Sequence, residues 1–439
     1  MASVTAPKSP LGRVLANTIW LLGGKGFGAV CGLLYLAILT RSLGLKGFGH
    51  FSLIFGTAQA LIWIAGFQSW RVVVRYGAPL VHAGKWRAFG RLGMLAGVLD
   101  AAGAAFGCLV AYVLIYQIQW LVHINPKYVD IAFWFCCAML WALVSAPTGI
   151  VRALDRFDMA VYVEALVPVG RLTAATLIWL TGPSVERFLI AWAVVDLLEA
   201  AAYWLMARRL CPEAVRLSHL RDWHLVTREH PGIMRFAGIT YVASALEAVV
   251  RFGPLLAVGA LAGTRAAGLY RLAAQLSQAL SKLSTLLTRT VYAETARAKV
   301  ANSAQEFRKF AIQTTLLAGG AGAVVVGLAA AVGGKLLKLV GGADFSSGGK
   351  VLIPLTIAAS FELASVAFEP VLHSTGLARY ALLARAAAAV ALGAALLVLD
   401  GYGASGIAWA VAIAGAVSYL ALGGFAAIVR PATPASSNP

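Results

Sequence analysis

The chain of 439 residues has few charged side chains and particularly few acids. Only 12% of its residues are charged, and 18 acids stand against 36 Lys and Arg. A soluble protein carries about 25% charged residues. Here 60% of the residues are hydrophobic and the mean hydropathy is +0.80. This composition indicates an integral membrane protein, and its scattered cations do not form the basic runs typical of nucleic-acid binding.

Cysteine is scarce, and the sequence lacks the motifs of metal and nucleotide sites. The five cysteines show no C-x-x-C or Cys/His spacing, which excludes the common zinc motifs. The glycine cluster at 23–28 has no Ser or Thr after its Lys, so it is not a phosphate-binding loop. No H-E-x-x-H or G-x-S-x-G motif occurs either. We predict a protein that is not an enzyme and that needs no metal and no cofactor.

Long apolar runs predict about twelve membrane-spanning helices, because a span needs about 20 mainly apolar residues. These runs do not alternate every second residue, as β-barrel strands would. The predicted spans are 13–39, 49–75, 92–118, 129–151, 159–181, 187–208, 233–261, 266–291, 311–333, 350–373, 378–399 and 404–429. The predicted fold class is therefore an all-α integral membrane protein.

Two further patterns predict its organisation. Most Lys and Arg outside the spans lie on the side of the amino terminus, which predicts that both termini are cytoplasmic. A shift of 219 residues superimposes Gly44, Lys46, Gly49, Phe51 and Gln59 on Gly263, Arg265, Gly268, Tyr270 and Gln278. Such a repeat predicts two pseudo-symmetric bundles of six helices. The predicted segments are an N-terminal bundle at 1–210, a cytoplasmic linker at 211–231, a C-terminal bundle at 232–430 and a disordered tail at 431–439.

Several cations lie within the predicted spans, where each costs about 3 kcal/mol unless it finds a partner, a water-filled cavity or the interface. They are Lys25, Arg171, Arg235, Arg251, Arg271 and Lys282. Arg235 is close enough to a span end to reach the interface. For the others, a structural ion pair and a role in binding an anion both remain open.

The eighth predicted span carries a polar stripe. Its members are three or four residues apart and therefore share one helix face: Arg271, Gln275, Gln278, Lys282, Thr285 and Arg289. The stripe is about 27 Å long, close to the thickness of the hydrocarbon layer, so it is not expected to face lipid. In the seventh span, Glu247 and Arg251 are one turn apart and are predicted to pair.

Acids within spans are candidates for coupling transport to an ion gradient. We select Glu247, Asp196, Glu199 and Glu362. The alternative is that these acids only balance nearby cations, as Glu164 would balance Arg171 seven residues later.

Residues 41–51, RSLGLKGFGHF, lie at the first predicted external turn. They resemble the Arg-x-Leu-Gly-x-x-x-Phe-Gly signature of Wzx-type polysaccharide flippases, in the multidrug/oligosaccharidyl-lipid/polysaccharide exporter superfamily. Leu45 departs from the common pattern, in which a proline often follows the glycine. The resemblance implies a V-shaped, alternating-access transporter in the bacterial cytoplasmic membrane. Its implied substrate is a polyprenyl-diphosphate-linked oligosaccharide.

The intramembrane cations suit the diphosphate of such a substrate, because charge-assisted hydrogen bonds offset its desolvation. The predicted substrate-binding residues are Lys25, Arg171, Arg251, Arg271, Lys282, Gln275, Gln278 and Gln59, with the glutamines contacting sugars. The expected partners are the lipid-linked oligosaccharide and membrane lipids; whether a polysaccharide polymerase or co-polymerase acts beside the protein stays open. The competing interpretations are an ion-coupled multidrug or metabolite antiporter of the same fold and a membrane glycan polymerase or ligase.

Overall fold

A computed structural model describes residues 10–118, 124–220, 222, 224–297, 304–365, 368, 372 and 378–428. Helices form all of the regular structure in these ranges, and the described residues include no strand. The helices are α1 Pro10–Ala65, α2 Ser69–His82, α3 Trp86–Tyr112, α4 Val129–Trp141, α5 Ser145–Ala153, α6 Phe157–Glu164, α7 Leu166–Thr181, α8 Val185–Leu210, α9 Leu225–Glu229, α10 Ile233–Arg297, α11 Ala304–Gly341, α12 Gly349–Ser365, α13 Ala378–Leu399 and α14 Gly403–Ile428.

The helices account for the predicted spans. Eight stretches among the described residues are long and apolar enough to cross a membrane. Five of these stretches contain a break between two helical segments: Gly26–Ala65, Pro126–Ala153, Phe157–Thr181, Ile233–Ser281 and Arg379–Phe425. Every predicted span overlaps a described helix. The all-α membrane fold is therefore confirmed.

The breaks in α1 and α10 occur at the two glycines that the repeat made equivalent. Gly44 has φ 65° and ψ 178°, and Gly263 has φ 82° and ψ 177°. A side chain would strain this backbone conformation, which is close to glycine-only. The two positions thus share a sharp turn, as the repeat leads us to expect.

A reciprocal contact joins the segments that follow these two turns. A Cβ atom on Gly49 would lie 1.9 Å from the carbonyl oxygen of Thr264, and one on Gly268 would lie 2.8 Å from the carbonyl oxygen of Leu45. Leu45 and Thr264 are themselves equivalent under the shift of 219 residues. Gly49 of the first segment thus contacts the second segment at Thr264, and Gly268 of the second contacts the first at the equivalent residue, Leu45. Two segments related by a two-fold axis make such reciprocal contacts.

The chain divides into two compact units. The N-unit comprises Met1–Leu43 and Ile54–Ala245, and the C-unit comprises Gly44–Leu53 and Leu246–Pro439. The short segment after the first glycine turn thus groups with the C-terminal half, because of the reciprocal contact described above. The start of α10 groups with the N-terminal half. The bundles 1–210 and 232–430 stay a prediction.

Within the N-unit, two breaks in the helices meet at one buried carboxylate. Asp100 of α3 is only 6% exposed. Its Oδ1 accepts a hydrogen bond of 2.6 Å from the Ser69 hydroxyl, and its Oδ2 accepts one of 2.6 Å from the backbone N–H of Ala146. The Ser69 and Ser145 hydroxyl oxygens lie 3.0 Å apart. Asp100 therefore lies at the N-termini of both α2 and α5, where a negative charge is favourable.

These breaks correct two predicted spans. The sequence pattern predicted continuous helices over 49–75 and 129–151, but the structure interrupts them before Ser69 and before Ser145. At the first break, Gln68 adopts a left-handed conformation with φ 49°. Hydropathy does not reveal these breaks, because the residues around them are as apolar as a continuous span. The clues in the sequence are a serine at the start of each second segment and the buried acid on another helix.

The linker at 211–231 packs against α3 of the N-unit. It contains the short helical turns Pro212–Val215 and Leu217–Leu220 followed by α9. Two glycines of α3 allow the close approach, since a Cβ on Gly90 would lie 2.5 Å from the carbonyl oxygen of Glu213 and one on Gly93 would lie 2.8 Å from that of Ala214. Ala214 is fully buried in the adjoining hydrophobic core. The linker is therefore an ordered part of the N-unit that contributes to its hydrophobic core.

Close helix packing in the C-unit also depends on small residues. A Cβ on Gly322 of α11 would lie 2.7 Å from the Ser360 side chain of α12, and the Ser360 hydroxyl donates a hydrogen bond of 3.2 Å to the Gly322 carbonyl. Gly333 of the same helix accommodates Leu352 in the same way. Glycine permits this approach where lipid supplies no hydrophobic drive between helices.

Candidate functional site

A largely buried ion pair lies within the N-unit. Arg171 of α7 donates from Nη2 to both carboxylate oxygens of Asp196 on α8, at 2.8 and 2.9 Å. Each side chain is 12% exposed. A charge buried to this degree needs a partner, because desolvation costs several kcal/mol per ion. The predicted substrate-binding arginine is therefore held by one of the predicted ion-coupling acids.

Aromatic rings surround this arginine. Its guanidinium carbon lies 5.6 Å from the ring centres of both Phe55 and Trp192. Tyr35 packs edge-on against Trp192, with ring centres 5.5 Å apart. The Nε of Arg171 is buried and has no hydrogen-bond partner within the described part of the chain. The pair thus has a fixed position, and one donor remains for a further acceptor.

Two more acids lie near the pair. Glu199, one turn after Asp196, is partly buried and makes no hydrogen bond or ion pair among the residues that the structure describes. Glu164 accepts a hydrogen bond of 3.2 Å from the Tyr203 hydroxyl and lies 4.0 Å from Arg152. The predicted balance between Glu164 and Arg171 is therefore wrong. The acid that pairs with Arg171 is Asp196 on the neighbouring helix α8. Spacing along one helix cannot predict a pair between two helices.

In the C-unit, Glu247 has a different partner from the predicted one. Its Oε2 accepts a hydrogen bond of 2.9 Å from Nη1 of Arg385 on α13. Arg251, the predicted partner, is exposed, and its guanidinium lies 5.9 Å from the Phe252 ring. Arg385 is not among the predicted site residues, because it lies close to the start of its span. Its position inside the predicted span 378–399 was the available signal.

The polar stripe lies on the continuous part of α10 that follows Gly263. Arg271 and Gln275 are partly buried and Gln278 is exposed, whereas the residues between them pack inward. The inward residues are Leu272, Ala273, Leu276 and Ser277. The described part of the stripe is therefore the more accessible face of the helix.

The remaining predicted residues are dispersed. Gln59 is partly buried on α1, and Glu362 is exposed on α12. The side chains of Lys25 and Lys282 lie outside the described residues. Among the residues that are described, no group of three or more His, Cys, Asp or Glu is placed to hold a metal ion. The structure thus brings together Arg171 with Asp196 in the N-unit, and Glu247 with Arg385 in the C-unit.

Residues 14–292 match the model of a protein family described as "Polysaccharide biosynthesis protein". The chain belongs to this family. The match covers more than half of the chain, including both glycine turns and the Arg171–Asp196 pair. It confirms the resemblance to Wzx-type proteins that residues 41–51 indicated.

Similar proteins agree with this assignment to the polysaccharide biosynthesis family. The chain is 26% identical over 337 residues to "Inner membrane protein YghQ" of Escherichia coli strain K12, covering 76% of this chain and 93% of that protein. Its fold is similar to that of "Lipid II flippase MurJ, inward closed conformation", with a TM-score of 0.70 and 12% identity over 92% of this chain and 86% of that one.

The fold is also similar to the inward-facing conformation of a multidrug resistance MATE family transporter of the MOP superfamily. That similarity has a TM-score of 0.66 and 12% identity, over 91% of this chain and 94% of the other. Identity at this level shows a shared fold. This member of the polysaccharide biosynthesis family is therefore a multi-pass membrane protein with the MOP superfamily fold.

Proposed function

We propose that the protein is a flippase that moves a polyprenyl-diphosphate-linked oligosaccharide across the bacterial cytoplasmic membrane for surface polysaccharide synthesis. The family match and the fold shared with a lipid II flippase support this assignment. YghQ is named as an inner membrane protein, which supports the location. Transport proceeds by alternating access, without chemistry on the substrate, and both termini lie in the cytoplasm.

The observation that carries the proposal is the buried arginine with a spare donor. Asp196 neutralises Arg171, and the Nε atom, which has no partner among the described residues, leaves the guanidinium one donor for a second anion. A diphosphate oxygen is a strong acceptor for such a group. We infer that Arg171 exchanges part of its contact with Asp196 for contact with the diphosphate.

The stripe on α10 supplies the second part of the proposed site. Arg271 and Gln275 lie on its accessible face, and Lys282 follows on the same face by helical spacing. Cations on this face would bind the diphosphate, while Gln275, Gln278 and Gln59 would donate hydrogen bonds to sugar hydroxyl groups. Lys25 and Arg251 complete the proposed set of cations.

The ion pairs also favour a flippase over an ion-coupled antiporter of cationic drugs. An antiporter of that kind needs a carboxylate that is open to a cation. Asp196 is held by Arg171, and Glu247 is held by Arg385. Two of the four candidate coupling acids are thus neutralised by arginine. Glu199, which makes no hydrogen bond or ion pair among the described residues, is our proposed coupling residue, and the role of Glu362 stays a prediction.

Native mass spectrometry of the protein, extracted gently from its own membranes, tests the proposal. We expect a co-purifying polyprenyl-diphosphate glycan whose mass reports the sugars. The Arg271→Ala/Lys282→Ala variant should lose this species. The matched control is Lys335→Ala/Lys338→Ala, which removes the same charge from two exposed positions of α11 and should retain the lipid.

Three outcomes decide between the functions. A glycan bound to wild type and control, and lost from the stripe variant at equal protein abundance, supports the flippase. Equal loss from both variants would contradict a specific cationic site. A small solute or drug bound to well-folded wild type, with no lipid-linked glycan, would favour the antiporter.

A further inference from the structure

A basic cavity lies in the N-unit where α3 begins. Its volume is about 890 Å³. The loop between α2 and α3, the first turns of α3 and the linker line it. The cationic and aromatic side chains of this lining are Lys85, Trp86, Arg87, Arg91, Arg216 and His230. None of them belongs to the proposed transport site, and the prediction of orientation places this end of α3 on the cytoplasmic side.

The acids of the cavity are already paired. Glu229 forms an ion pair with Arg91, and Glu213 pairs with Arg216 at 3.1 Å and with His219 at 3.3 Å. The His219 hydrogen bond and the charge of Arg216 lower the pKa of the Glu213 carboxyl, so it is ionised at neutral pH. The acids therefore neutralise Arg91 and Arg216 and leave Lys85 and Arg87, at the start of α3, without an acidic partner among the described residues.

The unpaired cations are Lys85 and Arg87. Both side chains are exposed, and neither forms an ion pair or hydrogen bond within the described ranges. The Nε of Arg91 is buried and also lacks a partner there. Since α3 has no acid in its first turn and no side-chain cap, its dipole adds to the positive potential. A cavity with these donors suits a phosphate group.

We propose that this cavity binds the phosphate of an anionic phospholipid from the adjacent leaflet. Trp86 is 44% exposed and is the first residue of the apolar stretch Trp86–Gln117. Tryptophan at the start of a span is typical of the membrane–water interface. Basic pockets at this depth on the cytoplasmic side recognise anionic headgroups. Because the linker packs tightly on Gly90 and Gly93, the cavity is formed before the lipid arrives.

The site is formed by the α2–α3 loop, the start of α3 and the linker, and its role goes beyond transport of the lipid-linked substrate. A lipid bound here would connect the α2–α3 loop to the linker, because Lys85 of the loop and Arg216 of the linker both line the cavity. Anionic lipid content would then affect how firmly the linker is held. The consequence is a requirement for anionic phospholipid that is independent of the substrate.

The test measures lipid binding to the full chain by native mass spectrometry, in mixed micelles of dioleoyl phosphatidylglycerol and dioleoyl phosphatidylcholine. Lys85→Gln/Arg87→Gln should weaken phosphatidylglycerol binding about 10- to 30-fold, as expected for two lost cations. The control is Arg208→Gln/Arg209→Gln, which removes the same charge from the last turn of α8. Both residues are exposed, and neither lines the cavity. Like the cavity, they are predicted to lie on the cytoplasmic side. The control should change binding less than about threefold.

The other outcomes of this experiment distinguish a phospholipid headgroup from a soluble phosphate compound. Equal weakening in both variants, or none in the first, would overturn the site in favour of general surface charge. If millimolar glycerol 3-phosphate bound wild type and displaced the lipid, the occupant would be a soluble phosphate compound and the assignment to lipid would be wrong. Preference for phosphatidylglycerol over phosphatidylcholine, insensitive to glycerol 3-phosphate and lost only in the cavity variant, supports the proposal.

Discussion

Replacement of Asp100 tests how the broken helices of the N-unit are stabilised. The buried carboxylate accepts one hydrogen bond from Ser69 and one from the backbone of Ala146, both at 2.6 Å. Asp100→Ala removes both bonds and leaves the buried Ala146 N–H without its acceptor. Since each bond contributes about 1–2 kcal/mol in this setting, we expect a loss of about 2–4 kcal/mol in the free energy of unfolding.

Asp100→Asn should have a smaller effect, for a geometric reason. The amide oxygen can still accept from the Ala146 N–H, while the NH₂ group faces Ser69. The Ser69 hydroxyl can then turn toward Ser145, whose oxygen is 3.0 Å away. The network survives without its charge, so we expect a loss of about 1–2 kcal/mol.

Unfolding by sodium dodecyl sulfate in mixed micelles, followed by circular dichroism, gives these free energies. The control is Asp400→Asn, at an exposed position, which should change stability by less than about 0.5 kcal/mol. If Asp100→Ala were as stable as this control, the carboxylate would not hold the two helix ends and the reasoning would fail.

Three further predictions follow from contacts described above. Gly49→Ala should cost about 3 kcal/mol or more, because its Cβ would overlap a backbone oxygen at 1.9 Å; Gly26→Ala, which meets nothing within 4 Å, should unfold at the same detergent concentration as wild type. Arg385→Ala should destabilise the C-unit more than the double variant with Glu247→Ala, since the single change leaves a partly buried charge unpaired; additive losses in a double-mutant cycle would refute this. The pKa of Glu213 is lowered in the folded state, so its contribution is present above the ordinary Glu value of 4.5 and is lost as pH falls through the folded-state value. Hydrogen exchange at 212–220, corrected for intrinsic rates, should therefore speed up under acid in wild type, and Glu213→Gln should remove that response.

The glycine turns show how much of the fold the sequence could predict. Gly44 and Gly263 were matched by the repeat alone, and both have the same unusual backbone conformation. The positions of the apolar helices follow from hydropathy, because hydropathy, like the glycine repeat, is a local property of the sequence. The breaks before Ser69 and Ser145 were not predicted, because they depend on Asp100, a residue distant in sequence.

The candidate site shows the limit of spacing arguments more clearly. Arg171 and Asp196 were each selected as functional, and their charge inside a span was a sufficient signal. Their pairing was not predicted, because it depends on how α7 packs on α8. The same limit explains Glu247, for which a neighbour one turn away was chosen although Arg385 on another helix is the true partner.

The reciprocal glycine contact has a consequence for how such a chain could change over time. A side chain at Gly49 would need the backbone at Thr264 to move, and the same holds for Gly268 and Leu45. Gly49 and Gly268 can therefore accept almost no substitution. The charged residues have no such restraint: the shift of 219 residues places Val390 opposite Arg171 and Gly415 opposite Asp196. The repeat thus keeps its glycines at these contacts and differs in its charged residues, since the second half has no arginine and no acid at the positions equivalent to Arg171 and Asp196.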